Sequence, residues 1–157
     1  MANQADCIIC AGPGGDAEWD RIEVWADALW RLTVSLSAEV PGFAYLEPKR
    51  HVPHVTDLDG AEAASFGQVL TRCTRILREV TGAEVVYVYI FGDGIPHLHV
   101  HLAPHRKGDA LNNQFVRGEV VEEKLPSGMT RIVSKEFPPL PREDLLQVAE
   151  LVRQAMS

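Results

Sequence analysis

The chain has 157 residues, 46% of them hydrophobic, and a formal charge of −7 at neutral pH. That length suits a single domain with its own core, taken here as residues 1–157. The acidic balance excludes a general nucleic-acid or anionic-membrane binder, which needs a basic footprint, and no stretch has the apolar length of a membrane span.

The N-terminal residues lack the basic start and apolar run of a secretory leader, so the expected compartment is the cytoplasm. Three cysteines, two of them as Cys7-x-x-Cys10, suit a reducing compartment better than a disulfide scaffold. A Gly/Pro loop, Gly12-Pro13-Gly14-Gly15, follows the pair. Strands are predicted over 21–25 and 28–36 from loose alternation of Trp, Val, Leu and Thr. Pro41-Gly42 marks a turn, and 43–47 the next strand. Asp57 or Asp59 is placed to cap a helix over 60–80. Ala63, Phe66, Val69, Leu70, Cys73, Ile76, Leu77 and Val80 recur there at helical spacing, and Thr81-Gly82 ends it. The β-branched and aromatic run 84–91 is a strand, closed by the tight turn Gly92-Asp93-Gly94. Pro96 then leads into a strand over 97–103. Segments 116–122 and 129–135, joined around Pro126-Ser127-Gly128, form a hairpin. Pro138-Pro139-Leu140-Pro141 is a stiff linker to a closing helix over 144–156. This order predicts an α+β fold: an antiparallel sheet of about five strands, one long helix and a C-terminal helix.

Half of the six histidines fall in the segment His97-Leu98-His99-Val100-His101. On a strand, His97, His99 and His101 share one face, while Leu98, Val100 and Leu102 face the core. Imidazole titrates near neutral pH and serves as nucleophile, acid/base or metal ligand. A plain histidine-rich surface face is one reading of this pattern. A site with all three as ligands to one ion is another, although alternate strand positions stand about 6–7 Å apart. Cys7-x-x-Cys10 by itself is a weak signal: it reads as two small buried residues beside Ile8 and Ile9, and a redox pair would want a βαβ pattern that the order of elements lacks.

The segment His97-Leu98-His99-Val100-His101-Leu102-Ala103, followed by Pro104, resembles the signature of the histidine-triad (HIT) family. The likeness extends to Cys7-Ile8-Ile9-Cys10, to Pro41-Gly42, to Glu47-Pro48-Lys49-Arg50-His51 and to Pro141-Arg142-Glu143-Asp144-Leu145. It is weakest over 11–30 and 106–138, where the hairpin of about 116–136 is extra or divergent. The resemblance implies a HIT-like fold and an enzyme that cleaves a phosphoanhydride or phosphoramidate bond. His99 would attack the α-phosphorus and form a nucleotidyl-histidine, with His101 and His97 as its catalytic companions and no catalytic metal required. Its branch with Cys-x-x-Cys implies structural zinc on Cys7, Cys10, His51 and His97. It also implies a homodimer acting on a small nucleotide or other phosphorylated substrate.

The substrate contacts that the resemblance implies are Ser35, His101 and Gly94. Departures from the family pattern cluster there: Ser35 stands where relatives carry an acidic or amide residue, Phe43 where they carry His, and the 91–96 loop lacks their Gln. Two other functions follow from these departures: a HIT-fold enzyme repurposed for a non-standard phosphorylated substrate, or a non-catalytic nucleotide-binding module. Asp93 is read as a turn residue, His54 as solvent-facing, Cys73 as core, the basic end His105-Arg106-Lys107 as solvated, and Trp19, Trp25 and Trp30 as core or edge residues.

Overall fold

The computed structural model describes residues 6–92, 94–111, 119–135 and 137–157. Its centre is a five-stranded antiparallel sheet built from β1 (Arg21–Ala26), β2 (Trp30–Ser35), β3 (Ala44–Pro48), β4 (Val85–Tyr89) and β5 (Val100–His105). The strands lie in the order β1-β2-β3-β5-β4. A short helix α1 (Pro13–Glu18) precedes the sheet, the long helix α2 (Gly60–Thr81) joins β3 to β4, and α3 (Arg142–Met156) closes the chain. This is the expected α+β fold.

One sheet face carries the main core. Trp30, Leu32, Val34, Leu46, Val100 and Leu102 pack there with Val69, Cys73 and Leu77 of α2 and Ala149, Val152 and Met156 of α3. The 3.6-residue spacing on α2 therefore marks its inner face, though Ala63 is exposed. Gly82 ends α2 in the left-handed region (φ 65°), as its position in the sequence predicts. Trp30 is wholly buried and stacks on Phe66, and its indole N–H donates to the Ser65 hydroxyl at 2.9 Å. Cys73 is core, and burial pushes its thiol up to about 12.

Two elements differ from expectation. Residues 13–18 form α1 where a loop is predicted: Pro13 at its start needs no N–H partner, and Asp16 lies in its first turn. Gly15 is required for this helix to dock, since a Cβ there would lie 1.9 Å from the Ile8 carbonyl oxygen. The regular part of the histidine strand starts at Val100, not His97. His97 sits in a tight turn, its N–H donating to the Ile95 carbonyl at 2.8 Å, and Leu98 N–H donates to Val52 at 2.7 Å. Val52 lies beyond the end of β3, so the chain enters β5 through single bonds rather than a ladder.

The hairpin is present as β6 (Glu119–Lys124) and β7 (Thr130–Lys135), a separate two-stranded sheet. Residues 116–118 of its predicted first strand, and Asp93 of the predicted turn, lie outside the described residues. Among the described residues, no helix is long and apolar enough to cross a membrane.

Candidate active site and metal centre

The other sheet face carries polar chemistry. Cross-strand pairing puts Tyr45 of β3 and Tyr89 of β4 on either side of His101, in one row. Thr33 extends that row through its pairing with Tyr45, and Arg31 faces Glu47 one step along.

His99 lies just before β5, half-buried. Its Nδ1 is 2.7 Å from the His97 carbonyl oxygen. A carbonyl only accepts, so Nδ1 carries the proton, and the neutral tautomer that fits this contact has its lone pair on Nε2. The His101 ring is 5.2 Å from that of His99. Trp19 stands edge-on to His99 at 6.3 Å, and Tyr45 lies 6.5 Å from it. Trp19 thus belongs to the wall beside His99, not to the core. Nothing local in the sequence signals this, because the loop before β1 is carried there by α1.

His97 points elsewhere and is 1% exposed. Its Nε2–H donates to the Pro48 carbonyl at 2.8 Å, leaving the Nδ1 lone pair directed at sulfur: Cys7 Sγ at 3.5 Å and Cys10 Sγ at 3.4 Å. His51 Nδ1 lies 3.3 Å from Cys10 Sγ. The ligand atoms of Cys7, Cys10, His51 and His97 all fall within 4.8 Å of one another, so the four residues can hold a metal ion. A tetrahedral ion bonded to two thiolates and two imidazoles places sulfur and nitrogen about 3.6 Å apart, close to the spacing here. Burial holds the His97 pKa down to about 4, so its ring is neutral and available as a ligand at pH 7. Burial, with the Cys7 thiol beside it, pushes Cys10 up to about 11, so metal binding must displace protons. The triad is therefore divided: His97 joins the cysteines, while His99 and His101 share the aromatic face.

A buried ion-pair network touches both the cysteine turn and the rings beside His99. Arg31 donates to Asp16 at 2.9 and 3.0 Å, to Glu47 at 2.9 Å and to the Ile9 carbonyl at 3.5 Å. Arg21 donates to Asp16 at 2.8 Å and also to Glu47. Burial opposes the Arg31 charge, but the carboxylates of Glu47 and Asp16 outweigh it and raise its pKa. The Arg21 guanidinium lies 4.8 Å from the Trp19 ring centroid and 5.7 Å from that of Tyr45. The turn between the cysteines, helix α1 and the ring wall beside His99 are thus tied together.

Of the expected substrate contacts, Ser35 lies opposite Arg21 on the histidine face. It is 3% exposed, and its hydroxyl oxygen accepts the Ser37 N–H at 3.2 Å. Gly94 is exposed in the loop ahead of the triad, with φ 79°. Phe43 is buried edge-on to His101 at 6.2 Å. His54 is exposed, as expected. His105 is not solvated as predicted: its Nδ1 pairs with Asp109 at 2.8 Å and its ring stacks on Tyr87.

A family model described as the HIT domain matches residues 17–108. The chain is 29% identical over 117 residues to the asymmetrical bis(5'-nucleosyl)-tetraphosphatase of Schizosaccharomyces pombe, covering 68% of this chain and 64% of that protein. It is 28% identical over 118 residues to the bis(5'-adenosyl)-triphosphatase of Dictyostelium discoideum, covering 71% and 79%. Against the nitrilase and fragile histidine triad fusion protein NitFhit of Caenorhabditis elegans it is 27% identical over 128 residues, 74% of this chain but only 29% of that longer protein. In fold it is similar to a Zn-bound histidine triad family protein from Mycobacterium smegmatis, with a TM-score of 0.66 at 21% identity over 98% of this chain and 95% of that one. It also resembles a hypothetical histidine triad nucleotide-binding protein from Sulfolobus tokodaii, with a TM-score of 0.67 at 17% identity, covering 96% and 91%.

Proposed function

The chain belongs to the HIT domain family, and on that premise we propose that it cleaves a phosphoanhydride or phosphoramidate bond of a nucleotide through a covalent intermediate on His99. The observation that carries this reading is the 2.7 Å contact from His99 Nδ1 to the His97 carbonyl, next to the His101 ring. A nucleophilic imidazole must be neutral, with its second nitrogen already engaged. His99 Nε2 attacks the α-phosphorus, a P–N bond forms, and the bond to the leaving oxygen or nitrogen breaks. Water then attacks the same phosphorus, and the P–N bond breaks to release the nucleoside monophosphate. His101 donates to a phosphate oxygen and offsets the charge that develops there. His97 serves through its backbone carbonyl. Ser35 and the Gly94 backbone are the proposed contacts to the rest of the substrate. The named activities of the tetraphosphatase and triphosphatase relatives favour dinucleoside polyphosphates.

The test is a panel of dinucleoside polyphosphates, nucleoside phosphoramidates and nucleotidyl sugars, with nucleoside monophosphate release followed. Release from one class names the substrate. No release from any member rejects the reading and favours a repurposed pocket, in line with Ser35, Phe43 and the 91–96 loop.

We assign zinc to Cys7, Cys10, His51 and His97. Bound there, it supplies a closed structural cross-link between the N-terminal turn and the entry to β5. Elemental analysis is expected to return one zinc per chain, and Cys10→Ser to weaken binding by at least about 100-fold. Affinity is expected to fall about tenfold per pH unit of acidification for each thiol proton displaced. A chain purified free of metal and unable to take up zinc contradicts the assignment.

We further propose a homodimer joined along β4, the edge strand where Val85 and Val88 are each 44% exposed. An uncovered apolar edge favours pairing with a second copy. Sedimentation equilibrium is expected to give twice the chain mass, and Val88→Lys to shift it toward the monomer. A native monomer at high micromolar concentration rejects this. The expected cytoplasmic location is likewise proposed, and fractionation of cells that make the protein tests it.

A further inference from the structure

His101 lies among aromatic rings. Tyr89 is flat against it, with ring centroids 4.7 Å apart and planes 22° apart. Tyr45 meets it at 5.3 Å and 70°, Phe91 at 5.5 Å and 70°, and Phe43 at 6.2 Å and 87°. The sheet register brings this about, since Tyr45 and Tyr89 are the two cross-strand partners of His101.

Rotation of a histidine ring about χ2 is broad and roughly two-fold, so an imidazole on an open face has no single orientation. One ring stacked flat and others set steeply to it remove that freedom. Several described groups stand around His101. His99 on its own segment is 5.2 Å away, and Tyr45 and Tyr89 present phenols from β3 and β4. Arg21 of β1 reaches the Tyr45 ring, but Asp16 and Glu47 hold its guanidinium.

We propose that Tyr89, with Tyr45 across from it, is a positioning residue that holds the His101 ring in one orientation beside His99, ready to donate to a substrate phosphate oxygen. The ring of Tyr89 does this, not its hydroxyl. The catalytic consequence rests on the nucleotidyl-transfer reading above; the orientation of His101 is independent of that reading and rests on the ring geometry.

The test uses the full chain loaded with zinc and compares Tyr89→Leu with Tyr89→Phe. Histidine NMR reads His101 directly, without any substrate. In Tyr89→Leu the nuclear Overhauser contacts that fix the His101 ring relative to His99 and Tyr45 are expected to weaken at least about twofold, as the ring samples both χ2 orientations. Tyr89→Phe restores them. With a turned-over substrate in hand, kcat in Tyr89→Leu is expected to fall about tenfold with KM within about twofold, and Tyr89→Phe to recover it. Should Tyr89→Leu fail to fold, Tyr89→Val, β-branched and suited to a strand, takes its place. Unchanged His101 contacts to His99 and Tyr45 in the leucine or valine variant overturn the proposal, whatever the activity. An altered His101 in a chain that hydrolyses nothing supports the positioning and rejects only the proposed reaction.

Discussion

The His99→Ala variant is expected to release nucleoside monophosphate at least on the order of 10⁴-fold more slowly than the native chain, with binding of the product nearly unchanged. The size follows from the kind of role proposed. Loss of a nucleophile removes the covalent route altogether, and what remains is the slower direct attack of water in the same pocket. His99 is also a safe position to truncate. Its ring is half-buried against Trp19 and Tyr45, outside the main core, and its hydrogen bond goes to a neighbouring carbonyl rather than to a distant element. Thermal unfolding should therefore move little, and single-turnover kinetics with the preferred substrate give the comparison. A variant that keeps more than about a tenth of native activity is incompatible with attack by His99, because no general acid or base effect elsewhere substitutes for a lost nucleophile at that level.

Arg31→Ala is expected to lower unfolding free energy by about 3–5 kcal/mol, read from urea denaturation of the metal-loaded chain. The Arg31 side chain is 7% exposed, and the buried carboxylates it meets, Asp16 and Glu47, are 8% and 0% exposed, while a third, Glu23 at 3.4 Å, is 45% exposed. Removing Arg31 leaves Arg21 as the guanidinium shared by Asp16 and Glu47. One of two buried negative charges is then under-compensated, which costs more than the pair contributed. Arg31→Lys should recover only part of the loss, since an ammonium group cannot bridge two carboxylates with a planar fork. The effect should reach beyond stability. Arg31 also holds the Ile9 carbonyl between the two cysteines, so zinc should leave the variant faster in a chelator competition. A cost below about 1 kcal/mol would mean that the network is dispensable and that metal and core alone hold the N-terminal turn.

The sequence by itself determined what depends on near neighbours along the chain. Apolar spacing on α2 and the left-handed stop at Gly82 are such features, as are the strand runs and the turn at Pro41-Gly42. The triad spacing was readable as well, through resemblance, because that signature is a short run of residues at fixed offsets, and the same resemblance named the four residues that can hold a metal ion. Tertiary structure decided what depends on register and docking. Only the β3–β5–β4 register places Tyr45 and Tyr89 on either side of His101. Only the packing of α1 under the cysteine turn, where Gly15 alone fits, carries Trp19 to His99. The alternation rule assigned all three histidines to one face, but it speaks only for a regular strand, which begins at Val100; the residues before it follow single hydrogen bonds, and His97 turns its ring to the cysteine pair. The charges on β1, β2 and β3 look individually like solvated strand residues. Their burial as one neutral network comes from Arg21 and Arg31 meeting Asp16 and Glu47 across four segments of chain. Such pairings are set by long-range geometry, and no local pattern encodes them.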